Sequence, residues 1–395
     1  MMKISDVKVY RVSGWMELEE GESERSAAPR DMYAEYAALA QPEQINSANG
    51  KVRIVRHYVS IHTDEGLEGI YGPIVYEEQA DIIVKKIKPQ LLGQNPLDIE
   101  RLWDQLRYDR HGRSGYYMMA VSAVDCALWD LRGKFYNTPV YRLLGGATRD
   151  KIPVYASMLG HSLQSGEAGK QAKAAAQQGY TAQKWFFRYG PSSGAQGKAD
   201  NLRLAEEVRE ALGFSYELML DCWMSWDVPY ALDMMERLRE VRPLWLEEPL
   251  LPNQIDGYRV LKEKAHLNIA AGEHLYTRKE FKPFFDQGLL QFAQPDPDWT
   301  GGITELRKIA VVAETYDVKF VPHGCTVIPN LHVIASLPPF VCPYLEYLIR
   351  YQKQQHHFHK NKMVPSGGYL SLPSEPGLGI ELDDTAIEAM EEHQV

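Results

Sequence analysis

Acidic side chains close three successive β-rich segments of the 395-residue sequence. Asp221 ends YELMLD, Glu247 follows in WLEEP, and Glu273 follows in AAGEH. If the three segments are neighbouring strands of a parallel barrel, their C-terminal ends converge. Three converging carboxylates raise one another's pKa unless a hard divalent cation neutralises them. Singly, each acid would suggest a solvated strand end, or for Asp221 a helix cap, but together the three predict a Mg²⁺ site.

A carboxylate and an imidazole occupy the same position on the next two segments. Asp296 closes the segment ending in QPD, and His323 closes the segment ending in VPHG. A carboxylate beside an imidazole orients the ring and raises its basicity, which is how a general base is built. Alone, His323 would more simply be a structural histidine. The pair predicts a base beside the metal site.

Eight β-rich segments alternate with amphipathic stretches from residue 150 onward, which is typical of a parallel α/β barrel. The residues before 150 instead predict an α+β unit, with strands over Ile4–Val12 and Val52–Thr63 followed by three helices. The polar segment of about residues 14–50 is long for a compact protein, and we expect it to be a lid. The barrel segments begin near Lys151, Ala182, Tyr216, Pro243, Asn268, Leu289, Asp317 and Tyr344.

The composition narrows the partners. The chain is 45% hydrophobic and 24% charged and carries a net charge of −10, which disfavours nucleic acid and anionic membranes, because both need a basic face. No apolar stretch is long enough to be a membrane span, and no targeting segment is visible. The four cysteines are widely spaced, which is typical of a reduced, cytoplasmic protein without a disulfide framework or zinc site.

The order of these residues resembles the enolase superfamily, mandelate racemase subgroup. The stretches DCALWDLRGK, TPVYRLLGG and PGLGIEL agree with that resemblance. It implies a (β/α)7β TIM-like barrel (residues 141–370), an N-terminal α+β capping domain (1–140) and a C-terminal segment (371–395) that completes the cap. It also implies a homo-oligomer. The residues that carry it, on barrel strands two to eight, are Lys184, Asp221, Glu247, Glu273, Asp296, His323 and Glu346.

More narrowly, LMLDCWMSWDVPYA, AAGEH, PHG and KWFFRYGP resemble the L-rhamnonate dehydratase branch of acid-sugar dehydratases. That resemblance implies a small sugar-acid substrate, an aldonate, that loses water to give a 2-keto-3-deoxy acid. The Mg²⁺ ion would stabilise the ene-diolate formed when His323 removes the C2 proton.

The resemblance also assigns roles to the remaining residues. Lys184 would hold the substrate carboxylate, unless it only extends to the barrel rim, and Glu346 would hydrogen-bond the developing oxyanion. Racemases carry a second lysine two residues after the first, whereas this chain has Phe186, so one base is missing. Predicted substrate contacts are His161, Trp223, His274 and Asp298; of these, His274 and Asp298, with Glu248, sit beside ligands and would support them.

Three other functions stay open at this point. A retaining glycosidase also uses paired acids, but it does not need an Asp–His pair on further strands. Another superfamily reaction, a cycloisomerisation of an anhydro-sugar acid or an epimerisation, would use the same metal site. A non-catalytic sugar-binding relative is the third. The histidines of QQHHFHK (356, 357 and 359) lie in a polar segment with no acid in view, which disfavours a second metal site there.

Overall fold

The computed structural model describes residues 1–17, 24–35, 47–48, 50–108, 112 and 114–395. The strands form one antiparallel sheet near the N-terminus and one larger parallel sheet. They are β1 (Ile4–Glu17), β2 (Ser47–Ala48), β3 (Lys51–Thr63), β4 (Glu68–Ile74), β5 (Lys151–Ser157), β6 (Ala182–Phe186), β7 (Glu217–Asp221), β8 (Leu246–Glu247), β9 (Ile269–Ala271), β10 (Phe292–Ala293), β11 (Lys319–Phe320), β12 (Leu345–Leu348), β13 (Tyr369–Ser371) and β14 (Ala389–Glu392).

Helices cover the outer face of the parallel sheet and one face of the antiparallel sheet. The α-helices are Glu77–Ile82, Lys88–Leu91, Ile99–Arg107, Gly115–Phe135, Val140–Leu143, Glu167–Gln177, Gly194–Leu212, Val228–Arg237, Ile255–Lys264, Thr277–Asp286, Gly302–Thr315, Val327–Ala335 and Ile349–Gln355, with 3-10 turns at Pro29–Met32 and Pro191–Ser193 and a π-turn at Ile83–Ile87. Within the described ranges, no helix is both long and apolar enough to cross a bilayer.

The antiparallel sheet has the order β14-β1-β3-β2, and β4 also pairs with β3. Helix Gly115–Phe135 packs against β4 and is buried along most of its length. Because β14 pairs with β1 in the register Tyr10↔Glu392, the end of the chain completes the N-terminal sheet. This confirms the predicted α+β cap closed by the C-terminal segment.

The parallel sheet runs β11-β10-β9-β8-β7-β6-β5-β12, and Phe320 N donates to Val341 O (2.9 Å), linking β11 to the segment before β12. Successive residues of a strand face opposite sides, so every second residue points into the barrel. An apolar layer at the bottom includes Met219, Trp245 and Phe292. Two residues further along the same strands come Asp221, Glu247 and Gln294. The polar site is therefore the next inward-facing layer.

The predicted eight barrel strands are all present, but three are shorter than the sequence suggests. Strands β8, β10 and β11 contain two residues each and end two residues before Pro249, Pro295 and Pro322. Proline has no N–H to donate to a ladder, so the pairing stops before it. The site residues that follow β10 and β11 consequently lie on the loops above the strands.

The predicted lid begins later than the sequence suggests. Strand β1 continues to Glu17 and pairs with β3 through Ser13↔Val55 and Glu17↔Lys51, so the first residues assigned to the loop belong to a long hairpin. Most of the remaining lid, residues 18–23, 36–46 and 49, lies outside the described residues. The part at 24–35 is described and lies on the rim of the barrel, as shown below.

Candidate active site

Two of the predicted metal ligands are the last residues of adjacent strands. Asp221 ends β7 and Glu247 ends β8, and the two are register partners in the sheet. Glu273 follows β9 by two residues. All three side chains are buried. The structure thus places the three acids at the C-terminal end of neighbouring strands, in the inward-facing arrangement expected from the sequence.

Lys184 connects these acids to a fourth carboxylate across the barrel. Its Nζ forms an ion pair with Glu247 Oε1 and lies 3.0 Å from Asp221 Oδ2 and 2.9 Å from Glu346 Oε1. The lysine is only 1% exposed, so it does not extend into solvent. Burial alone would lower the pKa of Lys184, but the charges of Glu247 and Glu346 outweigh it and raise that pKa well above its usual range.

The acids carry more negative charge than their burial favours. Burial, together with the charge of Asp221, raises the pKa of Glu247 well above normal. Burial raises the pKa of Asp221 despite Lys184, and burial raises that of Glu273 to about 7 despite the charge of His323. Burial and mutual repulsion disfavour the charged form of these carboxylates, and a hard divalent cation would offset that penalty on binding.

His323 and Asp296 form the expected pair. His323 Nδ1 lies 2.5 Å from Asp296 Oδ2, and its Nε2 lies 3.4 Å from Glu273 Oε2. Burial by itself would lower the pKa of His323, but the charge of Glu273 and the hydrogen bond to Asp296 raise it well above normal. Nδ1 is therefore held by Asp296, while Nε2 faces the metal-ligand side of the site.

A second imidazole, His274, lies beside the first. Its Nδ1 is 2.8 Å from Glu248 Oε2 and 3.6 Å from Glu273 Oε1. Among the described residues, these two acids and His274 are the one group of three ligand-type atoms lying within 4.8 Å of one another. Burial opposes a charge on His274, but Glu248 outweighs it and raises the pKa of His274 to about 9. His274 Nδ1 is held by Glu248, so in the structure this group is a charge-paired cluster that shares Glu273 with the predicted ligand set.

The structure separates the other predicted substrate contacts. Trp223 follows β7 at 38% exposure with a positive φ of 40°. His161 lies in the loop after β5, with its ring 6.5 Å from that of Trp185. Asp298 accepts hydrogen bonds from the hydroxyls of Tyr71 and Thr326. The role of these residues in binding substrate stays a prediction.

Two residues at the site carry no signal in the sequence motifs. Gln294 Nε2 donates to Glu247 Oε2 (2.6 Å), and the inward-facing alternation of β10 would have identified it. Trp299 has its ring 5.1 Å from that of His274 and 5.7 Å from that of His323. It forms an apolar wall shared by both imidazoles, a position that only the folded loop after β10 defines.

The described part of the lid lies across the barrel rim at β5 and β6. Glu24 N donates to Gly160 O (3.2 Å), and Ala27 N donates to Phe187 O (2.7 Å). Phe187 N in turn donates to Asp221 O (2.9 Å), so the lid is two hydrogen bonds from a predicted metal ligand. Asp31 accepts from the lid's own Ala28 N (3.0 Å) and pairs with Arg25, which fixes the shape of this segment.

The histidines of the QQHHFHK segment pack against the N-terminal sheet, although the surrounding sequence is polar. His356 and His359 are buried, and their rings are 5.5 Å apart. The Tyr58 ring on β3 is 5.8 Å from the ring of His359. Burial lowers the pKa of His356 to about 4 and, with the charge of His356, that of His359 to about 3. This cluster joins the end of the barrel to the N-terminal sheet.

A barrel with acids on successive strand ends, a buried lysine and an Asp–His pair defines an enolase-type enzyme. Residues 167–386 match the enolase C-terminal domain-like family, and residues 37–145 match the mandelate racemase / muconate lactonizing enzyme N-terminal domain. The chain therefore belongs to the enolase superfamily, in the mandelate racemase and muconate lactonizing enzyme group. The predicted family and fold are confirmed.

The chain is similar over nearly its whole length to named and structurally solved proteins. An L-rhamnonate dehydratase from Saccharopolyspora erythraea is 32% identical, with 97% of each chain covered. A rhamnonate dehydratase from Gibberella zeae, solved in complex with Mg, is 26% identical with a TM-score of 0.84, covering 97% of this chain and 95% of the other. A racemase from Streptomyces coelicolor with bound magnesium is 26% identical with a TM-score of 0.78, covering 97% and 99%.

Proposed function

We propose that the protein is a Mg²⁺-dependent dehydratase that converts a sugar acid of the L-rhamnonate type into a 2-keto-3-deoxy acid. The observation that carries this proposal is the Asp296–His323 pair, whose second ring nitrogen, Nε2, faces Glu273 of the carboxylate set at 3.4 Å. A base beside a metal-binding carboxylate is the arrangement that abstraction of a proton next to a carboxylate requires. The names of the S. erythraea and G. zeae relatives support the substrate class.

Asp221, Glu247 and Glu273 would hold the ion. When bound, Mg²⁺ supplies the positive charge that stabilises the substrate carboxylate as it becomes an ene-diolate. The three acids offer only oxygen atoms, which Mg²⁺ prefers. Gln294 and Trp245 donate to Glu247 Oε2 at 2.6 and 2.9 Å, so that oxygen is oriented and the other stays on the Lys184 side.

His323 carries the proton transfers of the proposed reaction. The bond from C2 to hydrogen breaks as Nε2 takes the proton, and the electron pair moves into the substrate carboxylate. The electron pair then returns to form the C2–C3 double bond, the bond from C3 to its hydroxyl breaks as the charged imidazole returns the proton, and water leaves. The enol product becomes the 2-keto acid. Asp296 keeps the proton on Nδ1 throughout, which leaves Nε2 free for both transfers.

Lys184 and Glu346 form an ion pair inside the barrel, 2.9 Å apart. We assign Lys184 the predicted role of holding the negative substrate by its fixed charge, because its Nζ is inside the barrel and already bound by carboxylates. Burial favours a proton on Glu346, but the charges of Lys184 and His323 lower its pKa to about 2. To hydrogen-bond the developing oxyanion, Glu346 would need a proton, and the charges of Lys184 and His323 oppose that proton. This role of Glu346 stays a prediction.

Phe186 distinguishes dehydration from racemisation as the proposed activity. It ends β6 in register with Asp221, where an ionisable side chain would serve as a second base. The Lys184 ammonium lies 5.2 Å from the centre of its ring, and phenylalanine has no group that accepts a proton. A single base on one face of C2 fits elimination and disfavours racemisation, even though a racemase is among the structural relatives.

The test is a screen of aldonic and aldaric acids for 2-keto acid formation, with Mg²⁺ and with excess chelator. We expect L-rhamnonate or a close stereoisomer to be converted only with the metal present. Glu280→Gln is a suitable matched control for Glu247→Gln, since Glu280 lies on an outer barrel helix and should leave turnover unchanged. Turnover that survives chelation, or product other than a 2-keto acid, would contradict the proposal.

A further inference from the structure

Asp298 lies in the loop after β10, two residues beyond Asp296. Its backbone N–H donates to Asp296 Oδ1 (2.7 Å). Its Oδ1 accepts from the hydroxyl of Tyr71, and its Oδ2 accepts from the hydroxyl of Thr326. Asp298 therefore links three parts of the protein: Asp296 on its own loop, Thr326 on the loop after β11, and Tyr71 on β4.

The contacts of Asp298 bind together the two loops that carry the pair. Asp296 uses Oδ1 to accept from Asp298 and Oδ2 to hold His323 Nδ1. Thr326 is three residues beyond His323 and precedes helix Val327–Ala335, from which Asn330 Nδ2 donates to His323 O (2.7 Å). The carboxylate of Asp296 and the backbone of His323 are thus fixed relative to each other by hydrogen bonds on both sides.

The third contact reaches the other sheet. Tyr71 is buried in β4, where it pairs with Val59 of β3. The adjacent Ile70 N donates to Asp130 Oδ2 (2.8 Å) on helix Gly115–Phe135, so the backbone beside Tyr71 is held independently of the barrel. One hydroxyl of the N-terminal sheet therefore bears directly on the residue that positions the base.

We propose that Asp298 is a positioning residue for the reaction: it fixes the Asp296 carboxylate against His323 and, through Tyr71, couples that geometry to the seating of the N-terminal sheet on the barrel. This inference rests on the proposed function of His323 as the base. Proton transfer depends steeply on the geometry of the groups involved. A rotated Asp296 would still let the protein fold and bind metal, but His323 would turn away from C2.

The chain offers matched variants for a test. Tyr71→Phe and Thr326→Val each remove one hydroxyl donor, and Thr326→Ser restores one. Tyr58→Phe is the control, because Tyr58 is a fully buried tyrosine of the same sheet whose hydroxyl has no hydrogen-bond partner within the described part of the chain. Each variant is assayed as the full-length protein with saturating Mg²⁺ and L-rhamnonate, or the best substrate of the screen.

We expect Tyr71→Phe and Thr326→Val each to lower kcat about ten-fold with KM within about two-fold, the size of one lost hydrogen bond to a charged group. Thr326→Ser and Tyr58→Phe should keep the wild-type kcat. In an Asp298→Ala background, which lacks both acceptor oxygens, the two hydroxyl deletions should have no further effect, because both act through the same carboxylate. The downfield proton resonance of His323 Nδ1–H should move in the first two variants and in Asp298→Ala only.

Three results would overturn the proposal: an unchanged kcat in both hydroxyl deletions, an equal loss in Tyr58→Phe, or full additivity with Asp298→Ala. Failure of the proposed function would look different, because the wild-type protein would then convert no sugar acid. The resonance of His323 reports the positioning without turnover, so it still decides between the outcomes for Asp298.

Discussion

Replacing Lys184 with methionine should strongly destabilise the metal-free protein, although the two side chains are similar in size. The methionine is similar in length and fills the same space. It leaves Asp221, Glu247 and Glu346, which are at most 3% exposed, without the ammonium that contacts all three. Removing one partner of a buried ion pair costs about 3–5 kcal/mol. We expect a loss of about that size in the free energy of unfolding.

Magnesium should reverse much of this loss. A ligand at one hundred times its Kd stabilises the folded state by about 2.7 kcal/mol, and the variant should bind the ion more tightly because a competing positive charge is gone. The assay is urea unfolding with and without Mg²⁺, with the Mg²⁺ Kd measured by calorimetry. Lys198→Met is the control, since its partner Asp233 is 37% exposed and such pairs contribute less than about 1 kcal/mol.

The reasoning would be refuted by two results. One is a Lys184→Met protein whose metal-free stability equals that of Lys198→Met. The other is a Mg²⁺-dependent gain in stability no larger in Lys184→Met than in wild type. Either result would mean that the carboxylates are neutralised by protons or by other cations and that Lys184 does not balance their charge.

Three further predictions concern other parts of the molecule. Glu247→Gln should abolish turnover and weaken Mg²⁺ binding by at least about ten-fold with an unchanged circular dichroism spectrum; unchanged metal affinity would place the ion elsewhere. In D₂O, recovered substrate should never be the C2 epimer, and His323→Asn should lose both deuterium exchange and dehydration while keeping its Mg²⁺ affinity; epimer accumulation would reveal a second base. The unfolded protein takes up protons at His356 and His359 below about pH 6.5, whereas the folded protein resists them down to about pH 4 and 3. Stability should therefore fall as pH drops through that window by up to about 1.4 kcal/mol per pH unit for each histidine, and unfolding curves of the His356→Gln, His359→Gln double variant should lose that slope; an unchanged slope would mean that neither ring is buried in its neutral form.

The sequence was sufficient to identify the barrel and the family, because both follow from local patterns. Asp221 and Glu247 each lie one inward step beyond an apolar barrel residue, Met219 and Trp245, whereas Glu273 is three residues beyond Ala270. The catalytic roles of these acids stay predictions. The contacts of Asp298 were not predictable in this way. Its partner Tyr71 is 227 residues away, and no periodicity links a tyrosine in one sheet to an aspartate in the loop of another.

The burial of His356 and His359 shows the same limit. The residues around them are mostly polar, but the segment folds onto β3 and β1, where its Phe358 packs with Tyr58 and Val12. The polarity of a segment is a property of its own residues, whereas its burial depends on which other elements pack against it. The ends of the short strands, by contrast, could be predicted from the sequence, because a proline follows each of them and cannot donate to the ladder.

The lid's contacts with the barrel have a consequence for how its activity can change in evolution. At Glu24 and Ala27 the lid donates to the barrel through its main chain, to carbonyls of Gly160 and Phe187. Glu24 also accepts from Ser162 through its side chain, but backbone contacts are available to almost any residue. Substitutions along the predicted lid can therefore keep the segment on the barrel rim, so the lid and the barrel residues can diverge at different rates.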